Sequence, residues 1–179
     1  MALKGGKKIQ KVLAKIGKDL SNSRVKVGFL SGSNYTDGTP VAQVAYWNEF
    51  GHGGRFPSPP RPFFRPMIAR EADQWGEKLA EALKFTKYNG PKALAIVGQD
   101  IVESLQASIA NNNGPELSAT TKVLRREFWK NPQDIRARDV LAAQKAVESG
   151  DEGASGTQAK PLMWTKTMIR AVDFEVEKK

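Results

Sequence analysis

The stretch Arg24-Val25-Lys26-Val27-Gly28-Phe29-Leu30 alternates with period two. Val25, Val27 and Phe29 share one face, the pattern of a half-buried strand. One other stretch repeats it, Ala171-Val172-Asp173-Phe174-Glu175-Val176-Glu177, close to the other end of the chain. Between the two, the apolar spacing is helical. Two strands alone are marginal in water. The expected fold is therefore α+β: several amphipathic helices packed on a small, mainly antiparallel sheet. The partners of the strands stay open at this level. They could pair with each other, with hairpin strands in 31–39 or 51–64, or with a neighbouring subunit.

Working outward, residues 6–21 read as an amphipathic helix. Ile9, Val12, Leu13, Ile16 and Leu20 make one stripe and lysines fill the opposite side. After the first strand, residues 31–39 are rich in turn formers. Thr39-Pro40 reads as an N-cap with proline at the first helical position, starting a short helix over 40–50 that Gly51 ends. Val41, Val44 and Ala45 can face a core, with Asn48 on the same side. Prolines at 57, 59, 60, 62 and 66 forbid helix interior and central strand, so 51–66 is an extended, proline-rich loop. A helix over 66–86 follows, with Ile68, Ala72, Trp75, Leu79 and Leu83 as its stripe. The clearest helical signal spans 92–111, where Leu94, Val97, Ile101, Leu105 and Ile109 recur by threes and fours. Ser118 caps a helix to about 129. The stretch 130–158 reads as a flexible insertion holding a short helix at 137–148 and a small, polar, mobile tail. The expectation for 1–179 is a single domain carrying that insertion.

The chain has 179 residues, 40% hydrophobic, enough to bury a core. No apolar run reaches the ~18 residues of a membrane span, and the basic start lacks the apolar core of a secretory signal. Formal net charge is +9, and +7 of it lies in residues 1–27, where eight basic residues face Asp19 alone. Such a patch points to an anionic partner: nucleic acid, a membrane surface or an acidic protein. Lys7, Lys8, Lys11, Lys15 and Lys18 are the residues expected to make that contact. The competing reading is a solvated helix face. The lack of arginine and aromatics on that face argues against base reading and base stacking.

Catalytic chemistry finds little support. The chain has no cysteine and one histidine, His52, set between glycines with no carboxylates at helical spacing for a metal. There is no G-x-S-x-G and no P-loop. The carboxylates Asp19, Asp37, Glu49, Glu71, Asp73, Asp100 and Glu103 are scattered. No catalytic, metal or cofactor residue is assigned, and no cofactor is expected. The segment Arg61-Pro62-Phe63-Phe64-Arg65-Pro66 is stiff, aromatic and cationic, a composition suited to a subunit contact. It would serve equally to pack a phenylalanine under the domain and position the next helix.

Five motifs in order bear a resemblance to a known family. They are Arg24-Val25-Lys26-Val27-Gly28-Phe29, Val44-Ala45-Tyr46-Trp47-Asn48-Glu49-Phe50-Gly51, Pro59-Pro60-Arg61-Pro62-Phe63-Phe64-Arg65-Pro66, Gly114-Pro115-Glu116-Leu117-Ser118-Ala119-Thr120-Thr121 and Lys160-Pro161-Leu162-Met163-Trp164-Thr165-Lys166-Thr167-Met168. Together they resemble the tailed-bacteriophage tail-completion and virion-morphogenesis proteins over about residues 20–178. Lys166 stands where the family pattern has glycine, and 130–158 is longer than the pattern. The resemblance implies a non-enzymatic structural protein of the virion, made in the host cytoplasm and placed at the head–tail junction. It implies a homo-oligomeric ring, with six copies favoured, that touches neighbouring neck and tail proteins and the DNA in the channel, without a membrane partner. Tail terminator and head–tail connector are the neighbouring roles within that reading. On it, Trp47, Phe56, Arg61, Phe63, Phe64 and Arg65 are the expected subunit-interface residues. A basic nucleic-acid-binding module is the alternative of another class, and an enzyme of unknown type, dependent on His52, a third.

Overall fold

The computed structural model describes residues 6–53, 57–112 and 114–178. In chain order the elements are α1 (Gly6–Ser21), β1 (Ser23–Phe29), α2 (Val41–Phe50), α3 (Phe64–Glu71), α4 (Trp75–Phe85), α5 (Gly90–Ala110), α6 (Ala119–Glu127), α7 (Ala137–Glu148), α8 (Thr167–Arg170) and β2 (Val172–Lys178). The fold is α+β, as expected, with helices packed on a two-stranded antiparallel sheet. The two strands pair with each other. Val25 sits opposite Val176, Val27 opposite Phe174 and Phe29 opposite Val172. The alternating apolar sets thus share one face, and that face needs a cover.

Helix α5 supplies it. All five residues of its stripe are buried, and the stripe runs in one core with Val41, Phe63, Met67, Met168 and Val172. Gly98 marks the closest approach of helix and sheet. A Cβ there would stand 2.7 Å from Phe174 Cδ2 and 2.8 Å from Val25 Cγ2. Asn89 caps α5, its side chain accepting from Lys92 N at 3.1 Å, and Pro91 occupies the first turn, where its missing N–H costs nothing.

The helix expected over 66–86 begins earlier, at Phe64, and is interrupted by a 3-10 turn at Ala72–Gln74. Pro40 takes the N-cap position of α2, not the first helical position expected for it, and contributes no side-chain cap. Gly51 ends α2 with φ of +83°, as a glycine can.

The stretch 130–158, expected as a flexible insertion holding a short helix, does hold that helix and packs it against its neighbour. Helix α7 folds back on α6, and Val123, Leu124 and Ala143 form a second small core with Phe128, Ile135, Val140, Ala146 and Val147 around it. The polar tail is tied down as well. Arg126 grips Asp151 through two bonds of 2.7 Å, and Ala154 N donates to Lys122 O at 2.9 Å. Gly153, at φ of +74°, lies so close to the Lys122–Val123 backbone that a Cβ would meet Val123 N at 2.4 Å.

Helix α1 has the expected bounds but no buried residue. Ile9 and Leu13 are 62% and 61% exposed, so the apolar stripe meets solvent over its first half. Only the last turn packs, where Asp19 and Leu20 close over Gly90. No described helix is long and apolar enough to cross a membrane.

Candidate functional site

The end of α2 organises the proline-rich loop. Glu49 is 4% exposed and turns its carboxylate toward the start of α3. Oε2 accepts from Phe63 N at 2.8 Å and Phe64 N at 2.9 Å, while Oε1 accepts from Arg65 N at 3.1 Å and Arg65 Nε at 2.9 Å. A helix start leaves its first N–H groups without partners in the helix, and a carboxylate there satisfies them and meets the positive end of the dipole. Burial pushes the Glu49 carboxyl up. The bonds from Phe64, Phe63 and Arg65 outweigh this and hold it below the usual glutamate range. The loop's carbonyls are taken too: Ser108 Oγ donates to Phe63 O at 2.6 Å and Asn112 Nδ2 to Pro62 O at 2.9 Å.

Arg61 runs inward from the loop. Its backbone N–H donates to Asn48 O at 2.6 Å, and its Nε and Nη1 donate to Pro115 O and Ser58 Oγ, each at 3.0 Å. Nη2 lies 3.4 Å from Glu116 O. Opposite it, Arg125 of α6 donates to the carbonyls of Gln158, Lys160 and Pro161, with its guanidinium 5.0 Å from the centre of the Trp164 ring. Both arginines are buried, at 7% and 4% exposure. Neither has a carboxylate partner among the described residues. Burial lowers the Arg61 guanidinium; burial, and then the charge of Arg61, push Arg125 down to about 10.

These two side chains line a cavity of about 850 Å³ between the 34–39 loop, α2, α6 and the 161–168 segment. Its other walls include Trp47, Asn48, Leu117, Leu162, Trp164 and Met168. The motifs quoted from the sequence therefore meet in space. Glu49 binds the proline loop, the proline loop binds 115–116 through Arg61, and Arg125 binds 158–161. Phe64 connects the strand motif, its ring lying 3.8 Å from where a Gly28 Cβ would be.

This arrangement revises the expected interface. Phe63 is 1% exposed and packs edge-on against Phe29, and Arg61 is spent on internal carbonyls. Both are turned into the chain, because the loop is folded onto α5 instead of standing free. Phe64 is half-buried against β1 and Phe63. Trp47 is half-buried on the cavity wall with the His52 ring 5.1 Å away. Phe56 lies outside the described residues. Arg65 does keep an exposed side chain, laid over the Phe50 ring at 4.7 Å. Phe50 and Tyr46, in tilted contact at 4.8 Å and 51% and 61% exposed, extend that surface. They sit outside the arginine–proline motif, and their signal was two aromatics one turn apart on a short helix.

Lys7, Lys8, Lys11, Lys15 and Lys18 are all exposed, and none is ion-paired among the described residues. At roughly 100° per residue they cover an arc of about 100° beside the apolar stripe. His52 is exposed, and no described cluster of His, Asp or Glu is placed to hold a metal.

No protein-family model, curated protein or solved structure matches the chain.

Proposed function

We propose that this chain is a structural subunit of a tailed-phage neck, acting by binding within an oligomeric ring that completes the tail and joins it to the head. The observation that supports this reading most is the mutual dependence of the resembling motifs. Glu49 and Arg61 tie three of them into one network, and Arg125, on the helix that the fourth motif begins, holds the fifth, so their order along the chain has a physical reason to be kept together. The exposed Tyr46–Phe50–Arg65 surface supports it as well: aromatic residues and arginine are what subunit contacts favour. In this reading α1 is an arm, its apolar stripe and lysines meeting a neighbour with apolar and acidic surface.

Mass photometry and negative-stain microscopy of the purified chain test the ring. Deletion of its gene from a phage that carries it tests the role. Unjoined heads and tails are expected; normal, DNA-filled, tail-joined particles without the protein would overturn the proposal.

The unpaired lysines favour a second reading, nonspecific contact with DNA. Five phosphate contacts would give a slope of about −4.5 in log affinity against log salt. A flat salt dependence rejects it. DNA would also leave Ile9 and Leu13 uncovered, which is why the protein partner is preferred.

A further inference from the structure

Buried charges in proteins are paired, because removing an ion from water without a counter-charge is costly. Arg61 and Arg125 break this rule together. They are two cations of like sign, under 10% exposed and close enough for one to perturb the other, and their bonds go to neutral oxygens. Carbonyls satisfy hydrogens but leave the two charges uncompensated. Arg125 Nε and the indole Nε1 of Trp164 beside it are buried with no partner at all. Asp37 also lines the cavity, but it accepts from Thr39 N at 2.9 Å and forms no ion pair among the described residues. Lys130 adds a third cation at the wall.

We propose that this cavity is a binding site for a carboxylate-bearing protein segment, an acidic side chain or chain terminus flanked by apolar residues, whose charge neutralises the Arg61–Arg125 pair. The size and chemistry of the walls favour this occupant. A volume near 850 Å³ holds several residues of a partner, far more than a lone ion. The walls mix apolar side chains, Trp47, Leu117, Leu162, Trp164 and Met168, with polar ones such as Asn34, Thr36, Thr165 and Thr167 around the two guanidiniums, a setting for a segment that brings one anionic group beside apolar and polar contacts. The donor count points the same way. Arg125 has five N–H groups and spends three on carbonyls, so one on Nη2 and the one on the buried Nε are left without a partner among the described residues. The inference does not rest on the neck reading; a chain that forms no ring and still binds the carboxylate keeps it.

The test uses the whole purified chain and three probes at constant ionic strength: hexanoate, uncharged hexanamide and inorganic phosphate. The indole N–H resonances of Trp47 and Trp164, assigned with Trp→Phe variants, report occupancy. Hexanoate is expected to shift both saturably, with hexanamide and phosphate far weaker. Arg61→Gln and Arg125→Gln, measured separately, should each weaken hexanoate by about tenfold or more, as loss of one partner in a desolvated charge contact does. Should Arg125→Gln fail to fold, Arg61→Gln and the wild-type comparison still decide. Equal response to hexanoate and hexanamide, or hexanoate binding unchanged in the arginine variants, would overturn the site. Saturable phosphate binding with hexanoate inert would overturn the carboxylate assignment.

Discussion

Replacing Glu49 by glutamine changes one atom in a side chain of the same shape, and the fold should lose stability out of proportion to that change. Each carboxylate oxygen accepts two N–H groups, so the amide NH₂ must face a donor pair whichever way it turns. The cheaper orientation keeps the remaining oxygen on Phe63 N and Phe64 N and sets NH₂ against Arg65. That loses one charge-assisted backbone bond, worth about 1.5–3 kcal/mol. It also loses a solvent-screened contact to the exposed Arg65 side chain, worth about 0.5 kcal/mol. The expected loss is about 2–4 kcal/mol, a sizeable part of a typical domain stability of about 5–15 kcal/mol. Urea unfolding followed by tryptophan fluorescence should show a lower midpoint with an unchanged m-value. Acid adds a second check. The Glu49 carboxyl is held below its ordinary range, so its contribution is complete above the unfolded value and fades as pH falls through the folded one. The gap between wild type and Glu49→Gln should therefore narrow on acidification. A loss under about 1 kcal/mol at neutral pH, or a gap that widens in acid, would refute the role assigned to Glu49.

Gly98→Ala should destabilise by about 1–2 kcal/mol, since overpacking against Phe174 and Val25 outweighs the roughly 1 kcal/mol that alanine gains in a helix; an unchanged melting temperature would count against the close approach. Lys166→Gly should stabilise, because Lys166 is held at φ of +58°. That left-handed conformation costs a side chain about 1–2 kcal/mol, against about 0.5–1 kcal/mol of added chain entropy for glycine, and calorimetry should find a rise of a few degrees at most. Ile9→Asp with Leu13→Asp should leave thermal stability within about 0.5 kcal/mol, as both sites are exposed, yet abolish any oligomer seen by mass photometry if α1 is the arm proposed.

Local patterns were legible wherever a side chain's fate follows from its neighbours along the chain. The α5 stripe, the two alternating strands, the exposed lysines of α1 and the bounds of α7 are of this kind. The second core, between α6 and the helix inside 130–158, escaped because it is small. Val140, Ala143 and Val147 do have helical spacing, but the glycines and acids after them set the mean hydropathy, and one bidentate pair, Arg126 with Asp151, replaces apolar burial in ordering that tail.

The proline-rich segment shows why its sequence leaves two readings open. Its arginines and prolines are residues usually found outside, so a subunit contact and a phenylalanine packed under the domain are equally compatible with it. Burial of such a segment depends on where its polar groups find partners, and these lie far away along the chain. The glutamate that binds Phe63 N is 14 residues before it, the serine that binds its carbonyl is 45 residues after, and the carbonyls that take Arg61 are 54 and 55 residues on. The prolines at 57, 59, 60, 62 and 66 themselves stay exposed, and only Arg61 and Phe63 of this stretch are buried. Buried arginine has enough hydrogens to use the carbonyls of distant loops, those of 115–116 for Arg61 and of 158–161 for Arg125. The same exchange leaves charge behind. Carbonyls take three of the five N–H groups of Arg125 and two of those of Arg61 and bring no counter-charge, so the contacts that hold these side chains inward also leave a cationic wall in the cavity beside the loop.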